Sequence, residues 1–382
     1  MGYLQMGLVD QDWEVRSLDD LNPDDLQLVS DFFNEQFPGV FYPKCTPEIF
    51  KWKLGPSNPA GQGFLTVAVS DGLVVGTASG TRKILTEGEN LINAIEIGDT
   101  FTHPDFRKNG RCKTPFSKSA NEDEYFELSI FGRLVSETIM RACSEGVVFV
   151  YGTPNENSKP PYLKRLKFSE IDKGKIHSHV ILTSKIKSLH KIRWLLSCIN
   201  ILVQFYSHIL SYIIFQRNSL KEISDEEFLA FSIQACELIH YQPDKVVLVN
   251  NPEVLKHRYI MHPSHSYRFF QIDIGGVHKG VLVTYEVIRS SGVSSFVVSD
   301  WLISDTRIEK RLSLFISKLS SVNKQSETIS FWEHGSLAKG SNFLLGIIKR
   351  KNISVISKDF RNTDPLKPSE FGDFRIGWSD NG

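Results

Sequence analysis

Residues 46–54 read TPEIFKWKL and residues 251–259 read NPEVLKHRY, so that Pro, Glu and Lys coincide and the apolar positions stay apolar. The correspondence then continues in order. Asn58-Pro59 is answered by His262-Pro263, the turn Asp71-Gly72 by Gly275-Gly276, and Gly76 by Gly280. A strand ending Gly98-Asp99 is answered by one ending Ser299-Asp300, at offsets that drift only between 201 and 205. Nine similar residues could arise by chance, but an ordered series points to two copies of one supersecondary unit. A chain of 382 residues has room for both, at roughly 150 to 200 residues per domain.

Composition removes several function classes. Lys plus Arg equals Asp plus Glu at 44 each, so no net field recruits nucleic acid or an anionic membrane. Cys45, Cys112, Cys143, Cys198 and Cys236 are odd in number and form no C-x-x-C, which suits reduced thiols in a cytoplasmic protein rather than a disulfide framework or a metal site. No basic region precedes an apolar run at the N-terminus, as a secretory signal requires. Residues 194–215 carry no charge and are long enough to span a bilayer on paper. Their polar residues Ser197, Asn200, Gln204, Ser207 and Ser211 recur every three or four positions, which predicts one stripe on a buried linking helix; a membrane or partner contact is the alternative.

Each copy reads as α+β with a mainly antiparallel sheet. In the first, strands are expected at 13–16, 64–69, 73–79, 94–102 and 147–151, with Ser70-Asp71-Gly72 as a hairpin turn. Helices are expected at 24–36, 124–143 and 159–167. In the second, strands at 245–249, 269–274, 281–287, 295–298 and 328–332 accompany helices at 308–319 and 336–349. The expected organisation is a domain at 1–185, a linking helix within 186–220 and a second domain at 221–382.

The strand 94–102 ends at His103-Pro104 and opens a loop, Arg107-Lys108-Asn109-Gly110-Arg111-Cys112. Gly110 permits a close backbone approach, and the successive amides and the cations at 107, 108, 111 and 113 could hold a pyrophosphate. A solvated basic turn is the plain alternative. The strand, this loop and the later Tyr151-Gly152-Thr153-Pro154-Asn155, Ser158, Tyr162 and Leu166-Lys167-Phe168 resemble the GCN5-related N-acetyltransferase (GNAT) superfamily. The loop stands where that family has [Gln/Arg]-x-x-Gly-x-[Gly/Ala]. Cys112 and Lys167 depart from it, standing where Gly or Ala and where Gly are usual, and one extra residue separates Tyr162 from Phe168.

The resemblance implies two tandem GNAT-like domains joined by the apolar helix, with acyl-CoA (acetyl-CoA or 3-hydroxybutyryl-CoA) held by Thr102, Arg107, Lys108, Asn109, Gly110, Arg111, Cys112, Asn155 and Ser158. Acyl transfer to an amine needs a proton acceptor, donors for the carbonyl oxygen and a proton for the departing thiolate. Glu96 occupies the place of the family's general base, unless it is simply a charge on a sheet face. Asp99 is the second candidate, facing the opposite side unless a bulge re-aims it. Tyr162 resembles the family's general acid, backbone amides near Thr102 suit the oxyanion, and His103 reads as structural.

The second copy has no Gly in Leu302–Leu312 and no R-x-x-G, so it cannot offer the same amide cradle. Trp52, His257, Arg258, His262, Asp300 and Trp301 are the groups expected near a polar acceptor, although core or capping roles would explain each. The full pattern is similar to tandem-GNAT sugar N-acyltransferases, which implies a dTDP-linked amino sugar as the small-molecule partner and leaves the oligomeric state open. An aminoglycoside or polyamine N-acetyltransferase and a non-catalytic acyl-CoA sensor are the alternatives.

Overall fold

Asp71 and Gly72 both take positive φ, 50° and 81°, as do Gly275 and Gly276 at 61° and 80°. This is the backbone that two-residue hairpin loops demand, and it fixes the strand register of both copies through the same turn. The structure is a computed structural model that describes residues 12–37, 45–107, 129–180, 218–239, 245–288, 294–303, 315, 319, 328–333 and 347–361. The expected linking helix at 194–215 lies outside them. No helix of the described residues is long and apolar enough to cross a membrane.

In the first half, β1 (Glu14–Ser17), β2 (Phe64–Ser70), β3 (Leu73–Glu87) and β4 (Asn90–Thr102) form an antiparallel run, and β5 (Phe149–Gly152) joins β4 in parallel. Helix α1 (Pro23–Gln36) starts where Asn22 Oδ1 accepts the Asp25 amide at 2.9 Å, with Pro23 in its first turn. Its Leu26, Val29, Phe32 and Phe33 pack on Leu65, Val67 and Val69 of β2 and on Phe50 and Leu54 of α2 (Pro47–Leu54). Helix α3 (Ile130–Ser144) covers the other face, with Leu134, Val135, Ile139 and Ala142 against Phe64, Ala78, Ile95 and Ile97. Each such side chain contributes about 1.5–3 kcal/mol on burial. Gly76 lets this helix lie close, because a Cβ there would stand 2.6 Å from Ile130 Cγ2.

The second half repeats the order with β7 (Asn218–Ile223), α5 (Asp225–Ile239), β9 (Tyr267–Ile274), β10 (Val277–Ile288), β11 (Ser294–Ile303) and β12 (Thr328–Glu333). A short helix, α6 (Pro252–Leu255), runs into a π-turn at Lys256–Ile260, the counterpart of α2. Strand β8 (Val246–Leu248) pairs with β3 of the first half.

Two strands join the halves into one sheet: β6 (Ser169–Val180) and β13 (Ile347–Asp359). Its order is β1-β2-β3-β4-β5-β13-β6-β12-β11-β10-β9-β7, a palindrome in which each strand meets its repeat mate about the antiparallel centre β13-β6. The last strand of each half is thus donated to the other. β13 pairs with β5, and β6 with β12. The expected helix at 336–349 is corrected at its end, since residues 347–349 belong to β13; its earlier residues lie outside the described ones. The buried cluster of Leu85, Tyr151, Val247, Tyr285, Val297 and Val355 draws on both halves.

Helix α4 (Lys159–Lys164) follows β5, and three residues past its end Lys167 takes φ +59°, at the position where the resembled family carries Gly. A side chain in this left-handed region costs about 1 kcal/mol. Lys167→Gly is therefore expected to stabilise the protein by about that amount, measured as a raised urea midpoint at unchanged slope; a lowered midpoint would contradict the backbone assignment.

Candidate active site

The parallel ladder between β4 and β5 ends at Glu96–Tyr151, and the strands then part. At the parting, Gly152 brings β5 against β4, because a Cβ there would meet Ile97 Cγ2 at 2.8 Å and the Ile97 carbonyl oxygen at 2.9 Å. Backbone groups of Gly98, Asp99 and Thr100 are left outside the β5 ladder and line a cavity of about 220 Å³. Phe33 of α1, Phe37 just after it, Asn155, Ser158, Tyr162 of α4 and Ile356 of β13 also line it. The exchanged strand thus supplies a wall residue to the first half's cavity.

A β-bulge sets the chemistry of this cavity. Thr77 faces Phe101 and Ser79 faces Gly98, so that two residues of β4, Asp99 and Thr100, oppose Ala78 alone, and Asp99 adopts φ +45°. The bulge turns Asp99 onto the face that Glu96 also occupies, where regular alternation would have placed it opposite. There its Oδ2 accepts the Lys53 ammonium at 2.8 Å and the Ser79 hydroxyl at 2.6 Å, while Thr77 Oγ1 donates to its carbonyl oxygen at 2.6 Å. Lys53 is buried on α2, and an ion pair with one end in a cavity and the other in the core has a fixed orientation.

Thr100 is turned the other way. Its hydroxyl lies 3.1 Å from the Gly98 carbonyl, to which it can donate, and 3.1 Å from the Tyr162 hydroxyl, where either hydroxyl can be the donor. The Tyr162 ring is held between Phe131 and Phe168, each centroid 5.1 Å away and nearly perpendicular. Burial pushes the phenol's pKa well above its ordinary value of 10.0, with the Thr100 bond a smaller opposing influence. The phenol stays a proton donor.

Glu96 lies elsewhere. It is fully buried on the α1–α2 face of β4, 3.6 Å from the Lys83 ammonium, and is not part of the cavity wall. Asn155 closes the turn that precedes α4, its Oδ1 accepting the amides of Asn157 at 3.0 Å and Ser158 at 2.9 Å. Thr102 pairs with Gly76 in the β3 ladder, and its carbonyl accepts Arg107 Nε at 3.3 Å. The buried Thr102 hydroxyl makes no hydrogen bond among the described residues, which suits a ligand or loop seated on this end of β4. Lys108, Asn109, Gly110, Arg111 and Cys112 lie outside the described residues. The His103 ring accepts the Asp105 amide at 3.3 Å and closes a short 3₁₀ turn, a structural role.

The residues expected near the acceptor divide into two groups. Trp52 meets the second half directly, its indole N–H donating to the His257 carbonyl at 2.9 Å and its ring stacking on His257 and lying 4.3 Å from His262. Arg258 joins them at the boundary between the halves. His262 Nδ1 accepts the Ser264 amide at 3.2 Å, which repeats the turn that Asn58 Oδ1 makes with the Ala60 amide. Asp300 is instead buried, accepting the Tyr259 hydroxyl at 2.8 Å and the Trp301 amide at 2.7 Å. Trp301 is a core residue packed with Val298, Phe315, Leu319 and Phe331.

The corresponding place in the second copy is occupied differently. Its β11–β12 ladder runs one pair further than its counterpart, to Val298–Phe331. Phe331 thereby stands in the place of Gly152, and Trp301 in the place of Thr100. Two large buried side chains thus stand at the positions that Gly152 and Thr100 hold in the first copy.

Sequence reasoning did not single out Lys53, Phe33, Phe37, Thr100 or Ile356. The repeat carried a signal for the first, since it aligns Lys53 with Arg258.

No family model and no curated protein matches the chain. Solved structures do. A GCN5-related N-acetyltransferase from Anabaena variabilis matches at TM-score 0.52 and 10% identity, over 91% of this chain and 73% of that one. Yeast (Saccharomyces cerevisiae) N-myristoyltransferase with bound myristoyl-CoA matches at TM-score 0.58 and 12% identity, over 92% and 83%. A GCN5-related N-acetyltransferase from Kribbella flavida gives 0.53 and 10%, over 91% and 72%. At such identities the likeness establishes the fold alone, a mixed α+β fold with an antiparallel-rich sheet like that of the GCN5-related N-acetyltransferases.

Proposed function

We propose that the protein is an acyl-CoA-dependent N-acyltransferase acting on the amine of a nucleotide-linked amino sugar. The observation that carries this reading is the parting of β4 and β5 around a cavity with a carboxylate, Asp99, and a buried phenol, Tyr162, on its wall. Acyl-CoA would supply a thioester whose carbonyl is open to attack by the amine. Asn155, Ser158, Thr102 and Arg107, with the loop at 108–112, would hold it.

Each residue then has one task. Asp99 attracts the acceptor amine and takes its proton, with Lys53 and Ser79 fixing the carboxylate against the cavity. Backbone groups of residues 98–100, outside the β5 ladder, suit the charge that grows on the carbonyl oxygen. The Tyr162 hydroxyl gives its proton to the departing sulfur, and Thr100 keeps it aimed. Glu96, sealed beside Lys83, serves as the partner of a buried cation.

The sugar is carried by the resemblance to tandem-GNAT sugar N-acyltransferases. Polycationic acceptors would call for acidic walls, whereas Asp99 is the one carboxylate among the described wall residues and is already matched by Lys53. The test is release of free thiol from acetyl-CoA with dTDP-linked amino sugars and, separately, with tobramycin or spermidine. Turnover with the first supports the proposal. Turnover only with the second replaces it, and tight coenzyme A binding without turnover on any amine assigns the chain to the sensor class.

A further inference from the structure

Tyr162 sits in a short segment that is held at both ends by the strand donated from the second half. Helix α4 starts at Lys159, whose ammonium donates to Ser354 Oγ of β13 at 2.8 Å and pairs with Glu170 of β6. Past the other end of α4, Lys358 Nζ of β13 donates to the Leu166 carbonyl at 3.0 Å. Between these anchors on the same strand, Ile356 lines the cavity together with Tyr162. Three alternate positions of β13 thus address one segment of the first half.

This segment has little to hold it in place by itself. A helix of six residues is too short to be stable alone, so its placement depends on what it is tied to. The Phe168 amide donates back to the Tyr162 carbonyl at 3.1 Å, and Lys167 takes the left-handed conformation that such a helix-ending closure requires. Lysine fills that conformation less readily than glycine. The Leu166 carbonyl belongs to the peptide bond that leads into Lys167, so Lys358 pins the turn at its strained point. Phe168, one of the two rings that flank the phenol, is carried by the same turn. A displaced turn therefore displaces the Tyr162 hydroxyl from Thr100, 3.1 Å away.

We infer that β13 is a clamp for the phenol: Lys358, and Ser354 through Lys159, are positioning residues that hold Tyr162 at the cavity. The second half thereby takes part in the first half's chemistry without touching the substrate. The catalytic consequence rests on the acyltransferase reading; the clamp itself does not.

The experiment uses the full-length protein and Lys358→Met, which keeps most of the side chain's apolar length and removes the donor. Hydrogen exchange reads the clamp without reference to activity. Peptides covering residues 159–168 are expected to exchange about fivefold faster or more in the variant, with coenzyme A affinity unchanged within about twofold. Turnover reads the positioning. Lys358→Met is expected to lower kcat about tenfold at an acetyl-CoA KM within about twofold of wild type, and to change kcat by less than about twofold in the Tyr162→Phe background. A substitution that merely loosened the fold would cost the same in both backgrounds. Should the Met variant fail to fold, Ser354→Ala, which removes the acceptor at the other anchor, reads the same contrasts. Unchanged exchange over 159–168, an unchanged kcat, or an equal loss of kcat with and without the Tyr162 hydroxyl overturns the proposal. Absence of turnover by the wild-type protein on any amine removes the acyltransferase reading instead, and exchange alone then decides the clamp.

Discussion

Tyr162→Phe is expected to lower kcat by about 10²–10⁴-fold while leaving coenzyme A affinity within a few-fold of wild type. The substitution keeps the ring between Phe131 and Phe168 and removes only the hydroxyl that contacts Thr100. The loss of one hydrogen bond costs about 1 kcal/mol of stability, too little to unfold the chain. Stopped-flow thiol release on the folded variant separates chemistry from binding. A variant with full kcat would remove Tyr162 from proton transfer and leave it a packing residue. The raised phenol pKa adds a pH signature: the group stays protonated past its ordinary value of 10.0, so Tyr162 imposes no basic limb on kcat below about pH 10. The sign for stability follows. A group whose folded pKa is raised contributes fully below 10.0, and that contribution is lost as pH climbs through the folded value.

The two carboxylates of β4 should separate cleanly. Asp99→Asn is expected to reduce kcat per folded molecule by about 10²–10⁴-fold, because it removes the acid that borders the cavity. Glu96→Gln is expected to act on stability instead. It leaves the Lys83 ammonium buried without its carboxylate, a loss of about 3–5 kcal/mol by the rule for broken buried pairs, with kcat of the surviving folded fraction close to wild type. Denaturant melts and active-site-normalised turnover, measured together, decide the matter. If Glu96→Gln loses turnover at unchanged stability and Asp99→Asn does not, the roles assigned here are reversed. Both variants report on a feature of backbone geometry, the bulge that puts Asp99 on the same side as Glu96.

What could be read from the sequence was local. Asp71-Gly72 and Gly275-Gly276 announce their hairpins because only a few residues tolerate positive φ. The strand that ends in the basic loop, and Tyr162 after β5, were legible because a motif keeps its spacing. The bulge could be foreseen as an option for Asp99, but its position depends on how Ala78 packs on the neighbouring strand, which no local pattern encodes. The exchange of β6 and β13 was not legible at all. Both strands are rich in charged and polar residues, SEIDKGKIHSHV and IIKRKNISVISKD, although they form the centre of the sheet. The apolar Phe343–Ile348 segment ahead of the second imitates a helix. Their pairing is a long-range choice between two homologous partners, and duplication makes those partners nearly interchangeable. Lys53 was overlooked for a related reason, since a lysine in an amphipathic helix ordinarily faces water and this one is buried against a bulge two strands away.

The central claim is that one acyl-CoA site lies where β4 and β5 part, and that its repeat mate, which has Trp301 and Phe331 at the corresponding positions, holds none. A crystal structure of the protein soaked with coenzyme A tests this most directly. The account predicts a single molecule whose sulfur lies in the cavity beside Asp99 and Thr100, within hydrogen-bond reach of the Tyr162 hydroxyl. Coenzyme A seated between β11 and β12, or bound with its sulfur remote from Tyr162, would contradict it.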